Sequence, residues 1–435
     1  MAVATSAAST AASAPPDPID SLLVPPADTL RPKPHLRRAS HIPLAAARRS
    51  ANSPPFAMPF RMDLLRAWAQ RAFLTLGLLA TSWIAVARAQ LALAPSFAAL
   101  VERLSEPGGD FGGDNLISNE QSYLHVLPAL ERAHVSGGAF IGIGPDQNFS
   151  YIAQIKPEIA YIVDIRRDNL VLHLLFKALF AEAPTRVGYL CLLMGRPAPE
   201  HPERWANATI DAIVAYIEAT PPLPEAELQQ TQHRLEAVMK GCGVPLAPAE
   251  LETIAKARTR FVQTGLVLKF QAQGQPLRDY YPTLRTLLLE TDRAGHQLSF
   301  LANEPAFQFV RSLQARDLIV PVVGDVSGAR AMRAIADDMT ARGLRLSAFY
   351  VSNVEYYLFP AKKFGPYTDN LKRLPHDERS MIIRSVFPSG GSRTLPQAVP
   401  GYYSTSLVQP FEAMLADLND GKYKTYRDLV QASAR

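Results

Sequence analysis

Two short stretches of the sequence place glycine and a carboxylate directly after apolar runs. Gly142 and Gly144 follow the run 139–141, and Asp164 ends the run 159–163, 20 residues after Gly144. Without a Cβ, a glycine turn lets the backbone approach a bound molecule closely. A carboxylate at the end of the next strand can accept hydrogen bonds from ribose hydroxyls. This spacing predicts a nucleotide-type site; the simpler alternative is a turn between packed elements, with Asp164 as a helix cap.

Gln147 narrows the class of ligand. It stands where the dinucleotide-binding fingerprint has its third glycine, which allows a helix to pack closely on the strand. The sequence therefore disfavours tight binding of a pyrophosphate, and with it an NAD-dependent oxidoreductase.

Two later apolar runs also end in polar residues. Gly324 and Asp325 follow the run 318–323, and Asn353 follows the run 344–351. Ligands in open α/β sheets bind outside the carboxyl ends of the strands. We therefore expect Gly144, Asp164, Asp325 and Asn353 to lie at one edge, although each alone could simply cap a following helix.

The elements that must position these residues alternate along the chain. The turn at Gly144 leads into a helix that Pro145 and Asp146 open, and then into the strand that Asp164 ends, which is a βαβ unit. The sequence thus predicts an α/β fold with a mostly parallel sheet flanked by helices. Further predicted elements are a helix from 118 that bends at Pro128, a helical insertion at about 182–297, strands at 298–301 and 381–387, and a helical C-terminus from Leu407.

The order of these motifs resembles class I S-adenosylmethionine-dependent methyltransferases, over about 140–168 and 318–355. The resemblance implies a Rossmann-like fold and S-adenosylmethionine as cofactor. It assigns Gly142 and Gly144 to the amino-acid part of the cofactor, Asp164 to the ribose, Asp325 to the adenine and Asn353 to the acceptor substrate. The chain departs from this family in having no acidic residue before the glycines, and in the long insertion.

The stretches 118–120, 142–152, 163–167 and 322–325 are also similar to a family of uncharacterised bacterial proteins with a methyltransferase-like core. This similarity spans most of 115–390 and implies no established activity. It adds pocket candidates, which are Gln147 and Asn148 on the cofactor side, and Glu120, Tyr151 and Arg166 on the substrate side. For Glu120 the alternative is a helix cap, and for the others surface polarity or packing.

Composition and missing motifs exclude other classes. The net charge is +5 and the basic residues are scattered, so we expect a small-molecule ligand and no nucleic acid. His125, His173 and His296 are isolated, and no Gly-x-Ser-x-Gly motif occurs, which argues against zinc hydrolases and α/β-hydrolases. The tyrosine pairs 280–281 and 356–357 are candidates for a substrate pocket or for the core. Cys191 and Cys242 could form one disulfide or remain separate thiols.

The N-terminal region predicts export. Residues 1–57 are rich in Ala, Ser and Pro, and we expect them to be disordered. In 58–89, arginines precede the apolar stretch 72–86, and an Ala-x-Ala sequence follows. This layout is typical of a signal peptide or a membrane anchor, with an ordinary amphipathic helix as the alternative. Residues 90–435 form the predicted domain, which lies in the periplasm or envelope if 58–89 directs export, and otherwise in the cytoplasm.

These observations leave two functions open. One is a methyltransferase-like enzyme that binds S-adenosylmethionine, with an acceptor that the sequence does not identify. The other is an exported or envelope protein that uses the same scaffold to bind a ligand without methyl transfer, because a fold does not fix a function. The export prediction favours the second function, since S-adenosylmethionine is a cytoplasmic metabolite.

Overall fold

A computed structural model describes residues 95–434 of the chain. Six strands lie side by side in one sheet of this part. The strands are β1 (Ala139–Ile143), β2 (Ile159–Asp164), β3 (Ile319–Val323), β4 (Leu346–Tyr350), β5 (Met381–Val386) and β6 (Thr405–Pro410).

The strands follow the order β3-β2-β1-β4-β5-β6 across the sheet. The first five run parallel, and β6 pairs antiparallel with β5. Every residue of β1 to β5 is buried, as is usual where helices cover both faces of a parallel sheet. The predicted α/β class with a mostly parallel sheet is therefore confirmed.

Helices connect and cover the strands. Those before β3 are α1 (Phe97–Leu104), α2 (Leu127–Arg132), α3 (Asn148–Ile155), α4 (Arg167–Glu182), α5 (Arg186–Met194), α6 (Ile210–Ala219), α7 (Glu225–Gly241), α8 (Pro248–Thr264), α9 (Leu284–Leu288) and α10 (Glu304–Ala315). Those after it are α11 (Ala331–Ala341), α12 (Val354–Leu358), α13 (Phe364–Leu371), α14 (Phe411–Asn419) and α15 (Tyr426–Ser433).

The connection from β2 to β3 contains the helices α4 to α10. Helix α4 packs against both strands, and α5 to α9 fall in the segment for which the sequence predicts a helical insertion. The bend predicted at Pro128 is instead a change of helix type. A 3₁₀ helix, Gln121–Val126, ends where α2 begins, and Pro128 lies in the first turn of α2, where its missing N–H has no carbonyl partner to lose.

The strand predicted at 298–301 is wrong. Phe300 and Leu301 are buried, which explains the apolar pattern, but this segment forms turns. The buried Arg186 guanidinium donates to the carbonyl oxygens of Leu301, at 2.9 Å, and of Ala302, at 3.0 Å. Buried carbonyl groups need partners, and here an arginine supplies them instead of a neighbouring strand.

The prediction of a helical C-terminus from Leu407 is wrong at its start. Leu407 lies within β6, which pairs with β5 from Thr405 opposite Val386 to Pro410 opposite Met381. The segment is short and rich in hydroxyl and β-branched residues, which suit an edge strand. Helices α14 and α15 follow it, so the prediction is correct only from Phe411 onwards.

Several predictions lie outside the described residues. These are the disordered segment 1–57, the signal or anchor 58–89 and membrane association through 72–86. Within 95–434, none of the helices has both the length and the apolar character that crossing a membrane requires. Cys191, which is buried, and Cys242, which is half-buried, are both free thiols.

Candidate functional site

A cavity of about 480 Å³ lies at the carboxyl ends of β1 to β4. Its lining includes Gly144 after β1, Asp164 at the end of β2, Asp325 after β3 and Asn353 after β4. The four strand ends thus meet as the sequence predicts. The volume is within the usual range for small-molecule sites, about 300–1,000 Å³.

The segment before the first strand and the helical insertion cover this cavity together. Phe111 lines it from the first, and Phe270 and Tyr281 line it from the second. Asp114 joins the two parts, because its carboxylate accepts from the Arg260 guanidinium at 2.5 Å and from the backbone N–H of residue 271 at 3.2 Å. The insertion therefore forms part of the site.

The two glycines of the turn have different roles. Gly144 lines the cavity at a φ of 87°, a conformation that favours glycine. Gly142 does not line the cavity, and a Cβ there would lie 1.9 Å from Asn148 Oδ1. The Asn148 side chain donates to the carbonyl oxygens of Ile143, at 3.0 Å, and Pro145, at 2.8 Å. Gly142 thus makes room for Asn148, which holds the turn from behind and does not face the cavity either.

Asp164 lines the cavity, but Arg166 occupies much of its carboxylate. Its Oδ1 accepts from the Arg166 backbone N–H and Nε, at 2.9 and 3.0 Å, and its Oδ2 accepts from Nη2 at 2.9 Å. Arg166 also donates to the carbonyl of Gly113 at 2.6 Å, and its side chain lies outside the cavity. Arg166 therefore orients Asp164 and the covering segment.

Asp325 is held at the end of β3 by two partners. Its Oδ1 accepts from the Ser327 hydroxyl at 2.6 Å, and its Oδ2 accepts from Lys363 Nζ at 2.9 Å. Burial raises the pKa of Asp325, but these hydrogen bonds outweigh burial and leave the pKa below its usual value. Asp325 is therefore ionised at neutral pH.

Glu120 lies at the cavity with an exposure of 1%. Its carboxylate accepts from Gln147 Nε2 at 3.2 Å and from the hydroxyl groups of Tyr350, Ser352 and Ser385. Ser352 has a φ of 56°, an unfavourable conformation for serine, and this conformation coincides with the hydrogen bond to Glu120. All four donors are neutral, so no arginine, lysine or histidine among the described residues hydrogen-bonds to this carboxylate.

Of the remaining candidates, Gln147 lines the cavity and Tyr151 does not. Gln147 is 6% exposed, and its Oε1 has no hydrogen-bond partner among the residues that the structure describes. Tyr151 is fully buried, donates to the Tyr123 carbonyl at 3.0 Å and packs against the Tyr350 ring at 5.0 Å. Burial raises its pKa well above the usual value, so the phenol is neutral. Tyr151 therefore supports the ring of Tyr350, against which it packs.

Residues 116–435 match the model of a family described as a domain of unknown function, DUF7790. The chain belongs to this family. No curated protein matches it. The matched part contains all ten residues that the sequence proposes for the site, from Glu120 to Asn353.

Sequence reasoning missed several side chains of the DUF7790 site, among them Tyr350 and Ser385. Both are buried in strands and donate to Glu120. A hydroxyl group in an otherwise apolar strand requires a buried partner, which is the clue that the sequence offered. Of the tyrosine pairs proposed as pocket residues, Tyr281 and Tyr357 line the cavity, whereas Tyr280 and Tyr356 do not.

His173 also holds the glycine turn in place. It is 2% exposed, and its Nε2 lies 2.9 Å from the carbonyl oxygen of Gly144, which makes Nε2 the donor. Its Nδ1 has no hydrogen-bond partner within the described part of the chain. Burial lowers the pKa of His173 to about 4, against a smaller opposing effect of the hydrogen bond to Gly144. His173 is thus neutral.

Among residues 95–434 no three His, Cys, Asp or Glu side chains converge as metal ligands.

We expect acid to destabilise the DUF7790 domain through His173. Below about pH 6.5 the unfolded chain binds a proton at this residue that the folded chain rejects down to about pH 4. The free energy of unfolding should therefore fall by about 3 kcal/mol from this residue alone as the pH drops from 7 to 4. Urea denaturation of the wild type and of His173→Gln across this range measures the contribution. Parallel pH profiles of the two proteins would contradict it.

Proposed function

We propose that the protein binds S-adenosylmethionine in this cavity and transfers its methyl group to an acceptor. The observation that carries the proposal is the convergence of Gly144, Asp164 and Asp325 on a cavity at the ends of successive parallel strands. These are the positions to which the methyltransferase resemblance assigns the amino-acid part, the ribose and the adenine of the cofactor.

The order of the strands supports a nucleotide-type ligand. The order β3-β2-β1-β4-β5-β6 is that of doubly wound nucleotide-binding sheets, apart from the antiparallel direction of β6. In such sheets the ligand binds where successive connections leave the central strand in opposite directions. Here that point lies between β1 and β4, at Gly144 and Tyr350.

The charges of the site support a cationic ligand. Arg166 neutralises Asp164, and Lys363 neutralises Asp325, but within residues 95–434 the donors to Glu120 are all neutral. A buried carboxylate without a cation is costly, and a positively charged ligand would reduce this cost. Gln147 also lines the cavity, and its Oε1 has no hydrogen-bond partner within the part of the chain that the structure describes. S-adenosylmethionine carries both an ammonium group and a sulfonium.

The residues of the cavity then divide into three groups. Glu120 and Gln147 face the positive part of the ligand, and Asp164 Oδ2, with one lone pair free of Arg166, accepts from the ribose. Ile165 and Val326 provide apolar contact for the adenine beside Asp325. The bound cofactor supplies an electrophilic methyl group, and the protein holds an acceptor in line with it near Asn353.

Calorimetric titration of the purified protein with S-adenosylmethionine tests this proposal. We expect saturable binding that Asp164→Asn weakens by about tenfold, since a hydrogen bond to a charged group contributes about 1.5–3 kcal/mol. Asp369→Asn, on the exposed surface of α13, is the matched control and should bind like the wild type. Absence of both heat and thermal stabilisation in the wild type would overturn the proposal.

One observation favours the second function, a binding protein without methyl transfer. Arg166 already uses both oxygens of Asp164, which reduces the capacity of this carboxylate for ribose hydroxyls. The test is N-terminal sequencing of the protein from fractionated cells, together with the titration above. A chain that begins at Gln90 outside the cytoplasm and does not bind the cofactor would favour this function.

A further inference from the structure

A second, smaller cavity adjoins the first at the ends of β4 and β5. Its volume is about 130 Å³, and it shares the lining residues Asn119, Tyr281, Asn353 and Tyr357 with the first cavity. This volume corresponds to roughly four molecules of liquid water. It therefore accommodates a compact chemical group that is in reach of a ligand in the first cavity.

Aromatic rings form most of its wall. The six rings belong to Tyr281, Tyr356, Tyr357, Phe387, Tyr403 and Tyr426. They meet at steep angles: 88° between Tyr356 and Tyr357, 82° between Tyr356 and Tyr426, and 87° between Tyr281 and Tyr403. The centroids of these pairs are 5.2, 5.4 and 6.1 Å apart. A flat ligand needs parallel walls, whereas steeply inclined rings enclose a rounded group from several sides.

No charged side chain lines this cavity among the described residues. Burial is the main cause that raises the pKa of Tyr403 to about 12 and that of Tyr426 further, so these phenols are neutral. The ring faces have negative quadrupoles, which attract cations, above all alkylammonium ions. Charged groups outside the lining also act here: Arg393 on Tyr403, and Glu355, Arg384 and Glu120 on Tyr426.

We propose that this aromatic cavity binds a small alkylammonium group, and that the methyl acceptor is a tertiary amine. The acceptor role rests on the proposed function; the binding of the cation does not. In the transfer, the lone pair of the neutral amine forms a bond to the methyl carbon, and the sulfur–carbon bond breaks with its electron pair on sulfur. The sulfonium becomes a thioether and the amine becomes a quaternary ammonium ion.

This reaction fits the side chains that are present. The neutral tertiary amine has no N–H proton to lose in the transfer itself. Its protonated form, which predominates in water at neutral pH, must first give its proton to solvent, because none of the described residues that line the aromatic cavity is a carboxylate, histidine or lysine. The ring faces stabilise the positive charge that develops on nitrogen, which is the charge that distinguishes the transition state from the neutral amine.

Titration with choline tests the inference, because choline carries the trimethylammonium group of such a product. Its neutral tert-butyl isostere has the same shape without the charge. We expect choline to bind the wild type and Tyr403→Phe equally, and Tyr403→Leu about tenfold more weakly, as loss of a cation–π contact predicts. Tyr216→Leu, at a half-buried tyrosine outside both cavities, is the control for aromatic loss elsewhere.

The outcomes separate this inference from the proposed function. Equal binding of the isostere, or unchanged choline binding by a folded Tyr403→Leu, would overturn the alkylammonium site. Binding of S-adenosylmethionine without any binding of choline also overturns the site and leaves the proposed function standing. Binding of choline without the cofactor supports the site and overturns methyl transfer.

Discussion

We expect Arg384→Met to lower the free energy of unfolding by about 3–5 kcal/mol, the usual cost of breaking a buried ion pair. Arg384 and Glu355 are both 1% exposed, with Nε and Oε2 2.7 Å apart. The variant leaves the Glu355 carboxylate buried with the Tyr367 hydroxyl, at 3.0 Å, as its remaining partner among the described residues. The guanidinium also donates to Gln409 of β6 and Ser433 of α15, so the variant loses these buried side-chain hydrogen bonds as well.

Urea denaturation measures this loss, and two further variants interpret it. Replacing both residues, as Glu355→Leu with Arg384→Met, should cost much less than the sum of the single changes, because no buried charge remains unpaired. Glu252→Gln removes an exposed pair with Lys256 and should leave stability almost unchanged, because water screens such a pair. A similar small change for Arg384→Met would mean that the buried pair contributes little.

We expect Glu120→Gln to weaken the binding of S-adenosylmethionine by about tenfold to a hundredfold, the range that hydrogen bonds to charged groups span. The substitution keeps the size of the side chain and removes a buried carboxylate whose donors among the described residues are all neutral. The hydroxyl groups of Tyr350, Ser352 and Ser385 can rotate to accept from the new amide. The fold should therefore persist, and calorimetric titration isolates the effect on binding.

The matched control for this variant is Glu290→Gln. Glu290 is also buried, at 5% exposure, and accepts from the Tyr402 hydroxyl at 2.8 Å, but it lies outside the cavity. Its substitution should leave the affinity for the cofactor unchanged. S-adenosylhomocysteine keeps the ammonium group of the cofactor but lacks the sulfonium, so it distinguishes between these two positive charges. If Glu120 acts on the sulfonium, Glu120→Gln should weaken the binding of S-adenosylhomocysteine less than that of S-adenosylmethionine. Equal affinities of both variants for S-adenosylmethionine would show that the Glu120 charge has no part in binding.

The sequence was sufficient to predict the ends of the strands at the site. Gly144, Asp164, Asp325 and Asn353 each follow a short apolar run, and parallel strands place such ends at one edge. It was not sufficient to predict that Leu298–Leu301 forms turns or that Thr405–Pro410 forms the strand β6. Whether a buried apolar run becomes a strand depends on its partner, and the partners here are Arg186 and β5, both distant along the chain.

The sequence also could not predict the direction in which individual side chains point. Asn148 and Tyr151 follow the glycine turn as Gln147 does, yet only Gln147 faces the cavity, because the first turns of a helix point side chains in several directions. The environment of Glu120 depends on Ser385, which lies 265 positions further along the chain. No local pattern connects two such residues before the sheet has formed.

The close fit of Gly142 against Asn148 has a consequence for the history of the family. A methyl group at position 142 and the asparagine at 148 would occupy the same space. A larger residue at 142 would therefore require a smaller residue at 148, together with a shift of the Phe140 ring, whose Cε1 would lie 2.7 Å from the added methyl group. Across members of the family the two positions should therefore change together, and an alignment in which they vary independently would show that the turn has another way to form.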